Sequence, residues 1–157
     1  YQPDGPLTRA QFLTMLAKTI YGLDLSQSAS AGFVDVPESE WFYSYVNWGF
    51  ANGIVKGIDD VTFAPNNKIT REQMAIMLDN FAESTDLTLP AANDGLVFTD
   101  SALINSWAAG SVEKIVSSGV MSGYPEGNYK PQGNATRAEA ATVVYKLVNI
   151  RDNIAKK

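Results

Sequence analysis

An all-α fold is what the sequence predicts, and three observations carry that expectation. A Thr-x-x-Gln/Glu box opens three separate stretches, at Thr8, Thr70 and Thr136. In such a capping box the Thr hydroxyl accepts from the N–H three residues on, and the Gln or Glu there reaches back to the Thr N–H. Behind each box, apolar residues recur at steps of three and four, the period of a one-faced helix. They are Phe12, Met15, Leu16 and Ile20; Met74, Met77, Leu78 and Phe81; Ala140, Val143, Val144 and Leu147. Gly-rich turns and polar loops separate these stretches. The apolar residue before each Thr (Leu7, Ile69, Ala135) can staple onto Phe12, Met74 or Ala140.

Two further helices are expected over Ser39–Asn52 and Asn105–Ser118, with Ser39 and Asn105 as N-caps. Gly53 and Gly119 stand where a left-handed residue would end them. Trp41, Tyr45, Val46 and Trp48 make one apolar face, and Trp107, Val112, Ile115 and Val116 the other. On this pattern Trp41 and Trp107 are core anchors rather than sugar platforms. The stretches 26–32 and 84–95 are polar and are expected as surface connections.

Composition narrows the chemistry. The chain has 157 residues, 45% apolar and 11% aromatic, enough for one domain with a packed core. The net charge of −5 and the absence of any basic run argue against a general nucleic-acid binder. There is no Cys, so no disulfide, Cys-ligated zinc or thiol nucleophile, and no His for Ser-His-Asp chemistry or the usual general base. No apolar run reaches the length of a membrane span, and the first residues do not read as a signal peptide. Beginning at Tyr1, the chain is expected to be a piece of something larger. No cofactor or metal is called for. Asp59-Asp60 and Asn66-Asn67 are oxygen-rich but lack EF-hand spacing.

The chain repeats itself. Phe33-Val34-Asp35 returns as Phe98-Thr99-Asp100 after 65 residues, and from Trp41/Trp107 to Thr70/Thr136 the offset is 66. Tyr1-x-Pro3-x-Gly5-x-x-Thr8-Arg9 matches Tyr129-x-Pro131-x-Gly133-x-x-Thr136-Arg137 at an offset of 128. The chain thus divides into the back half of one motif (1–25) and two whole motifs (33–83 and 98–150). Capping explains Thr and Gln/Glu in each box but gives no reason for Arg9, Arg71 and Arg137. A cation in the first helical turn opposes the macrodipole, so a second task is expected of it.

The order Phe-x-Asp, Trp-bearing helix, Gly-Ile/Val-x-x-Gly, aromatic-x-Pro, Thr-Arg-x-Glu resembles the surface-layer homology (SLH) family over nearly the whole chain. Val61 departs from the aligned Gly127, so the first complete turn is expected to differ in shape; Gln11 and Gln73 replace Glu, and Ala135 replaces a larger apolar residue. The resemblance implies a pseudo-threefold bundle, with three central capping-box helices and outer Trp-bearing helices. It also implies a role outside the cell, at the bacterial surface. There such modules bind an anionic, often pyruvylated secondary cell-wall polysaccharide and anchor surface-layer or exported proteins.

The residues expected at the ligand are Arg9, Arg71, Arg137, Lys56, Gly57, Gly123, Asp35, Asp100, Trp41 and Trp107. The arginines are expected at groove mouths, partly solvent-accessible, beside free helix N–H groups that suit a carboxylate. A structural bridge to Asp35 or Asp100 is the duller reading. The two aspartates read more readily as turn caps, and the glycines serve backbone geometry. Ser122 stands opposite Lys56, so the grooves should not be equivalent. A glycosidase needs paired carboxylates, and no second acid recurs beside Asp59, Asp60 or Glu126. A protein-binding or self-assembling module is the alternative. Three central helices facing two outer ones leave one side uncovered. An upstream segment or a second copy would fill it, leaving at most two complete grooves.

Overall fold

The computed structural model describes residues 2–26, 28–93 and 97–155. Tyr1, and Asp94 and Gly95 within the second polar connection, lie outside the described residues. Five α-helices follow in order: α1 Arg9–Ala17, α2 Tyr43–Ala51, α3 Arg71–Ser84, α4 Ser106–Ser117 and α5 Arg137–Ile154, with a short 3₁₀ turn at Ser101–Leu103. Among the described residues there is no strand beyond three isolated bridges.

The three capping boxes form as expected, on α1, α3 and α5. What the boxes do next was not visible locally. The residues before them close a ring of backbone hydrogen bonds: Leu7 N–H donates to Ala135 O (3.3 Å), Ala135 N–H to Ile69 O (2.9 Å), and Ile69 N–H to Leu7 O (3.0 Å). All three residues are buried, so the ring lies in apolar surroundings where an unmade bond would be costly. The axis of this ring makes the bundle pseudo-threefold.

A helix start leaves its first N–H groups without partners. Here the neighbouring aromatic-x-Pro loop supplies them. Arg9 and Ala10 donate to Asn67 O and Pro65 O, Arg71 and Glu72 to Gly133 O and Pro131 O, Arg137 and Ala138 to Gly5 O and Pro3 O, all at 2.9–3.1 Å. The Thr hydroxyl takes the third N–H. These termini are therefore spent on the fold, and the free N–H groups expected beside the arginines are absent.

Both outer helices pack on a central one, α2 on α1 and α4 on α3. α4 runs as expected, and α2 is shorter. α2 starts at Tyr43 after irregular turns, so Ser39 is no N-cap; Asn105 is the N-cap of α4, but without a side-chain cap bond. Its N–H and Nδ2 instead donate to the buried Glu72 carboxylate, at 3.1 and 2.8 Å. Gly53 and Gly119 do end the helices with φ of +71° and +76°. A Cβ on Gly49 would lie 2.9 Å from Leu13, which shows how closely α2 approaches α1.

Trp41 and Trp107 are not core anchors. They are 55% and 59% exposed, whereas Phe42 and Ala108, one residue on, are buried. On α4 one helical step of about 100° from the buried Ala108 turns Trp107 outward; Trp41 lies in the turns before α2, where Phe42 takes the inward place.

Asp35 and Asp100 each bind two successive N–H groups after the Gly turn: Phe63 and Ala64 at 2.9 and 2.7 Å, Tyr129 and Lys130 at 2.7 and 2.8 Å. Ala64 and Lys130 sit at φ of 60° and 56°. That left-handed conformation costs a residue with a side chain about 1–3 kcal/mol, which the paired bonds to a carboxylate offset. Burial raises the Asp100 carboxyl, but the bonds from Tyr129 and Lys130 N–H outweigh it, and it titrates below the ordinary range. A depressed folded value means that stability is present above the unfolded value of about 3.9 and is lost as pH falls through the folded one. Chemical denaturation should therefore give a flat stability above about pH 5 and a decline below about pH 4. Asp100→Asn should flatten that decline while lowering the plateau.

Candidate functional site

A polar cleft of about 750 Å³ lies between the Gly turn after α2 and the outer helix α4. Its floor is α3. The turn supplies Gly53 to Ile58, α3 supplies Gln73, Ile76, Met77 and Asn80, and α4 supplies Trp107 and Ser111, with Arg9 behind the turn. Of the ten residues expected at the ligand, Arg9, Lys56, Gly57 and Trp107 meet here. Lys56 and Trp107 are solvent-exposed on its walls.

The arginines have the second task that their recurrence implied, and it is structural. Arg9 Nε donates to Phe63 O (3.1 Å) and its Nη2 to Lys56 O (3.0 Å), with the guanidinium 4.7 Å over the Phe63 ring. Arg71 repeats this 62 residues later on Tyr129 O (2.7 Å) and Ser122 O (2.6 Å), between the rings of Tyr124 and Tyr129. Each arginine thus staples the Gly turn of the following motif. Arg9 and Arg71 are buried, contrary to the accessibility expected of them. Arg137 alone is exposed, and the turn it would hold is not among the described residues.

Arg71 has one partner more. Its Nη1 meets Glu139 Oε1 at 2.5 Å, and Tyr124 OH donates to the same oxygen at 2.6 Å. Burial raises the Glu139 carboxyl, but the Tyr124 and Thr136 hydrogen bonds and the Arg71 charge carry it below its ordinary range. Burial holds the Tyr129 hydroxyl well above its own.

Gly57 and Gly123 are required by packing. A Cβ would come 2.2 Å from Asp59 O at Gly57 and 2.4 Å from the Phe98 ring at Gly123. The turns differ in shape, as Val61 against Gly127 implied: Gly127 N–H closes on Tyr124 O, whereas Val61 N–H takes Asp59 Oδ1. Gly123 and Ser122 edge a second turn whose opposite wall is missing, because no outer helix packs on α5 among the described residues. Trp41 stands at the converse place, a wall without its turn. Among the described residues one groove has both its turn and its helix wall. Sequence reasoning missed Gln73, Asn80 and Ser111. The signal was there, since Gln73 and Asn80 lie seven apart on one face of α3, and Ser111 four after Trp107.

The fold and groove define a class: a repeat-built helical module with a groove where two motifs meet. The S-layer homology domain family matches residues 32–75 and 97–141, more than half of the chain. The chain belongs to that family. It is similar to the amylopullulanase of Thermoanaerobacterium thermosulfurigenes, 31% identical over 98% of this chain and 8% of that protein. It is also similar to the cellulosome-anchoring protein of Acetivibrio thermocellus, 26% identical over 92% of the chain and 32% of that protein. The S-layer protein EA1 of Bacillus anthracis is 28% identical over 90% and 16%. The chain thus spans less than a third of these relatives.

Two expectations follow for variants. Arg71→Ala strips a buried ion pair and two carbonyl partners, and should cost about 3–5 kcal/mol in denaturant unfolding. Arg71→Lys should recover little, because an ammonium cannot span three acceptors in a plane, while Arg137→Ala should stay within about 0.5 kcal/mol. Phe42→Ala should cost about 3–5 kcal/mol as a core truncation. Trp107→Ala should cost well under half of that, so its melting curve separates the two readings of the tryptophans.

Proposed function

We propose that the chain is a non-catalytic binding module for an anionic secondary cell-wall polysaccharide. It fastens a surface-layer or exported protein to the bacterial wall, outside the cell. The observation that carries this reading is the groove between residues 53–58 and Trp107. It is open, it has an exposed indole on one wall and Lys56 on the other, and the amides of Gln73 and Asn80 lie on its floor. An aromatic face suits the apolar face of a sugar ring, and local cations are what an acidic chain needs to hold an acidic glycan. A carboxylate substituent such as a pyruvate ketal would satisfy them. Two relatives, a cellulosome-anchoring protein and an S-layer protein, support by their names anchoring as the use of such a module. The amylopullulanase shares only 8% of its length with this chain, so its activity is no guide here.

A second reading concerns a partner rather than a ligand, and α5 favours it. Tyr145 is 67% exposed and Ala141 is exposed, whereas their counterparts on α3, Asp79 and Ala75, are buried under α4. A segment built like residues 33–62 would cover that face and give Arg137 the turn carbonyl that Lys56 and Ser122 give Arg9 and Arg71. The opening residues already lie against the start of α5 through Pro3 O and Gly5 O, so an upstream stretch leads onto that face. With it in place, Trp41 gains the second wall of a groove.

Co-sedimentation with purified cell walls, before and after the secondary polymer is stripped, tests the first reading. Binding should depend on the polymer and fall on Trp107→Ala or Lys56→Ala without loss of the fold. Equal retention by stripped peptidoglycan would overturn it. For the second, adding the upstream half-motif should bury Tyr145 from solvent labelling and raise the melting temperature. No change in either would sink it.

A further inference from the structure

The two outer helices come from matching stretches of sequence, yet α4 begins one turn earlier than α2. Aligned at the offset of 66 they end at the same place, Ala51 and Ser117. Ser106, Trp107 and Ala108 are helical, whereas their counterparts Glu40, Trp41 and Phe42 are irregular turns. The extra turn carries the indole that lines the groove. Neither outer helix has a side-chain cap of its own. The difference lies at the second residue of each central helix, which is Ala10 on α1, Glu72 on α3 and Ala138 on α5. Glu72 is buried, and its two oxygens accept separately from Asn105, Oε2 from the backbone N–H at 3.1 Å and Oε1 from Nδ2 at 2.8 Å. Gln132 Nε2 donates to Leu103 O at 2.6 Å and lies 3.4 Å from Glu72 Oε1, which ties the loop before α5 into the same cluster. Among the described residues no ion pair competes for this carboxylate. The macrodipole and the unpaired N–H groups of a helix start both favour an anion there. For α4 a neighbouring helix supplies it. Ser39, the counterpart of Asn105, belongs to a motif pair with Ala10 in that place, and α2 starts late.

We propose that Glu72 is a positioning residue for the groove: its carboxylate starts α4 from outside the helix, and the turn so gained sets Trp107 opposite residues 53–58. For what the indole meets, the proposal rests on the glycan-binding reading. Charge-assisted bonds to a carboxylate are among the stronger polar contacts, and two of them from one residue fix direction as well as distance. Because Asn105 offers one backbone and one side-chain donor, the pair sets both where α4 begins and how its first turn sits on α3. Without the carboxylate both donors turn to water, and the helix frays back to Ala109, the counterpart of Tyr43 where α2 begins. The indole then loses its fixed place across from Lys56. Trp41 shows that outcome already, an exposed indole carried by irregular turns.

Glu72→Ala is the decisive variant, and the fold should bear it, because Ala10 and Ala138 hold that position in the other central helices and Asn105 is open to water. The Cα chemical shifts of Ser106, Trp107 and Ala108 should move from helical values toward coil, while those of Val112 and Val116 stay helical. Affinity for purified anionic wall polymer should fall roughly tenfold. Glu72→Gln separates an acceptor from a space-filling side chain. Its amide keeps the volume but sets an NH₂ group against one of the two Asn105 donors. Shifts and affinity should then lie between those of wild type and Glu72→Ala. Glu72→Gln equal to wild type in both would reduce Glu72 to packing and overturn the proposal. Helical shifts retained in Glu72→Ala would overturn it as well, and so would shifts lost with polymer affinity unchanged. If wild type itself fails to bind the polymer while the shifts collapse in Glu72→Ala, the glycan reading falls and the start of α4 by Glu72 stands.

Discussion

Three backbone hydrogen bonds, Leu7 to Ala135, Ala135 to Ile69 and Ile69 to Leu7, hold the rest of the molecule in register. Each joins residues at least 62 positions apart, so none could form from local propensity. A cyclic arrangement of this kind works only if all three strands of chain arrive together. Each position is both donor and acceptor, and the ring is enclosed by apolar side chains. Losing one member strands a donor and an acceptor in the core, at about 1–3 kcal/mol for each group. The small side chain of Ala135 fits this account, because the ring uses its backbone and only Leu7 and Ile69 contribute bulk.

From the ring, the same logic passes outward in a fixed order. The x-Pro loop carbonyls cap the helix next to them, the first arginine of that helix staples the Gly turn of the next motif, and an aspartate pins the left-handed residue after that turn. The first two links cross a motif boundary, and the aspartate closes the turn within its own motif. A binding groove made of a turn from one motif and a helix from the next is the consequence. It also explains why two whole motifs yield one whole groove and two incomplete ones.

How much of this was legible follows from where each interaction lies along the chain. Capping boxes, helix-ending glycines and the repeat offsets are local or periodic, and they predicted helices that the structure contains. Asp35 and Asp100 read as turn caps and are turn caps, though each caps a turn 28–30 residues away. Arg9 and Arg71 are buried against expectation because a residue at the first position of a helix is usually near solvent, and their partners lie 47–58 residues on. The tryptophans were misread because Trp41 and Phe42 are both apolar, and spacing alone does not say which of two adjacent large residues turns inward. Close approach of α2 to α1 at Gly49 decides it.

That division has a functional consequence. Residues that recur at every motif, Thr, Arg, the turn glycine and Asp, carry bonds that the fold needs, and any of them is a poor site for tuning a ligand. Residues that differ between motifs line the groove: Lys56 against Ser122, Gln73 against Glu139, Ile58 against Tyr124, Asn80 against Lys146. Lys146 donates to Gly119 O at 3.0 Å, while Asn80 donates to Ile54 O at 3.1 Å, so even this exchange keeps the turn tethered while it moves a charge. A repeat architecture built this way can change what each groove accepts without touching the ring, because the variable side chains project from helices whose starts are already fixed. On the glycan-binding reading, selectivity lies in the departures from the repeat, and stability in the repeat itself.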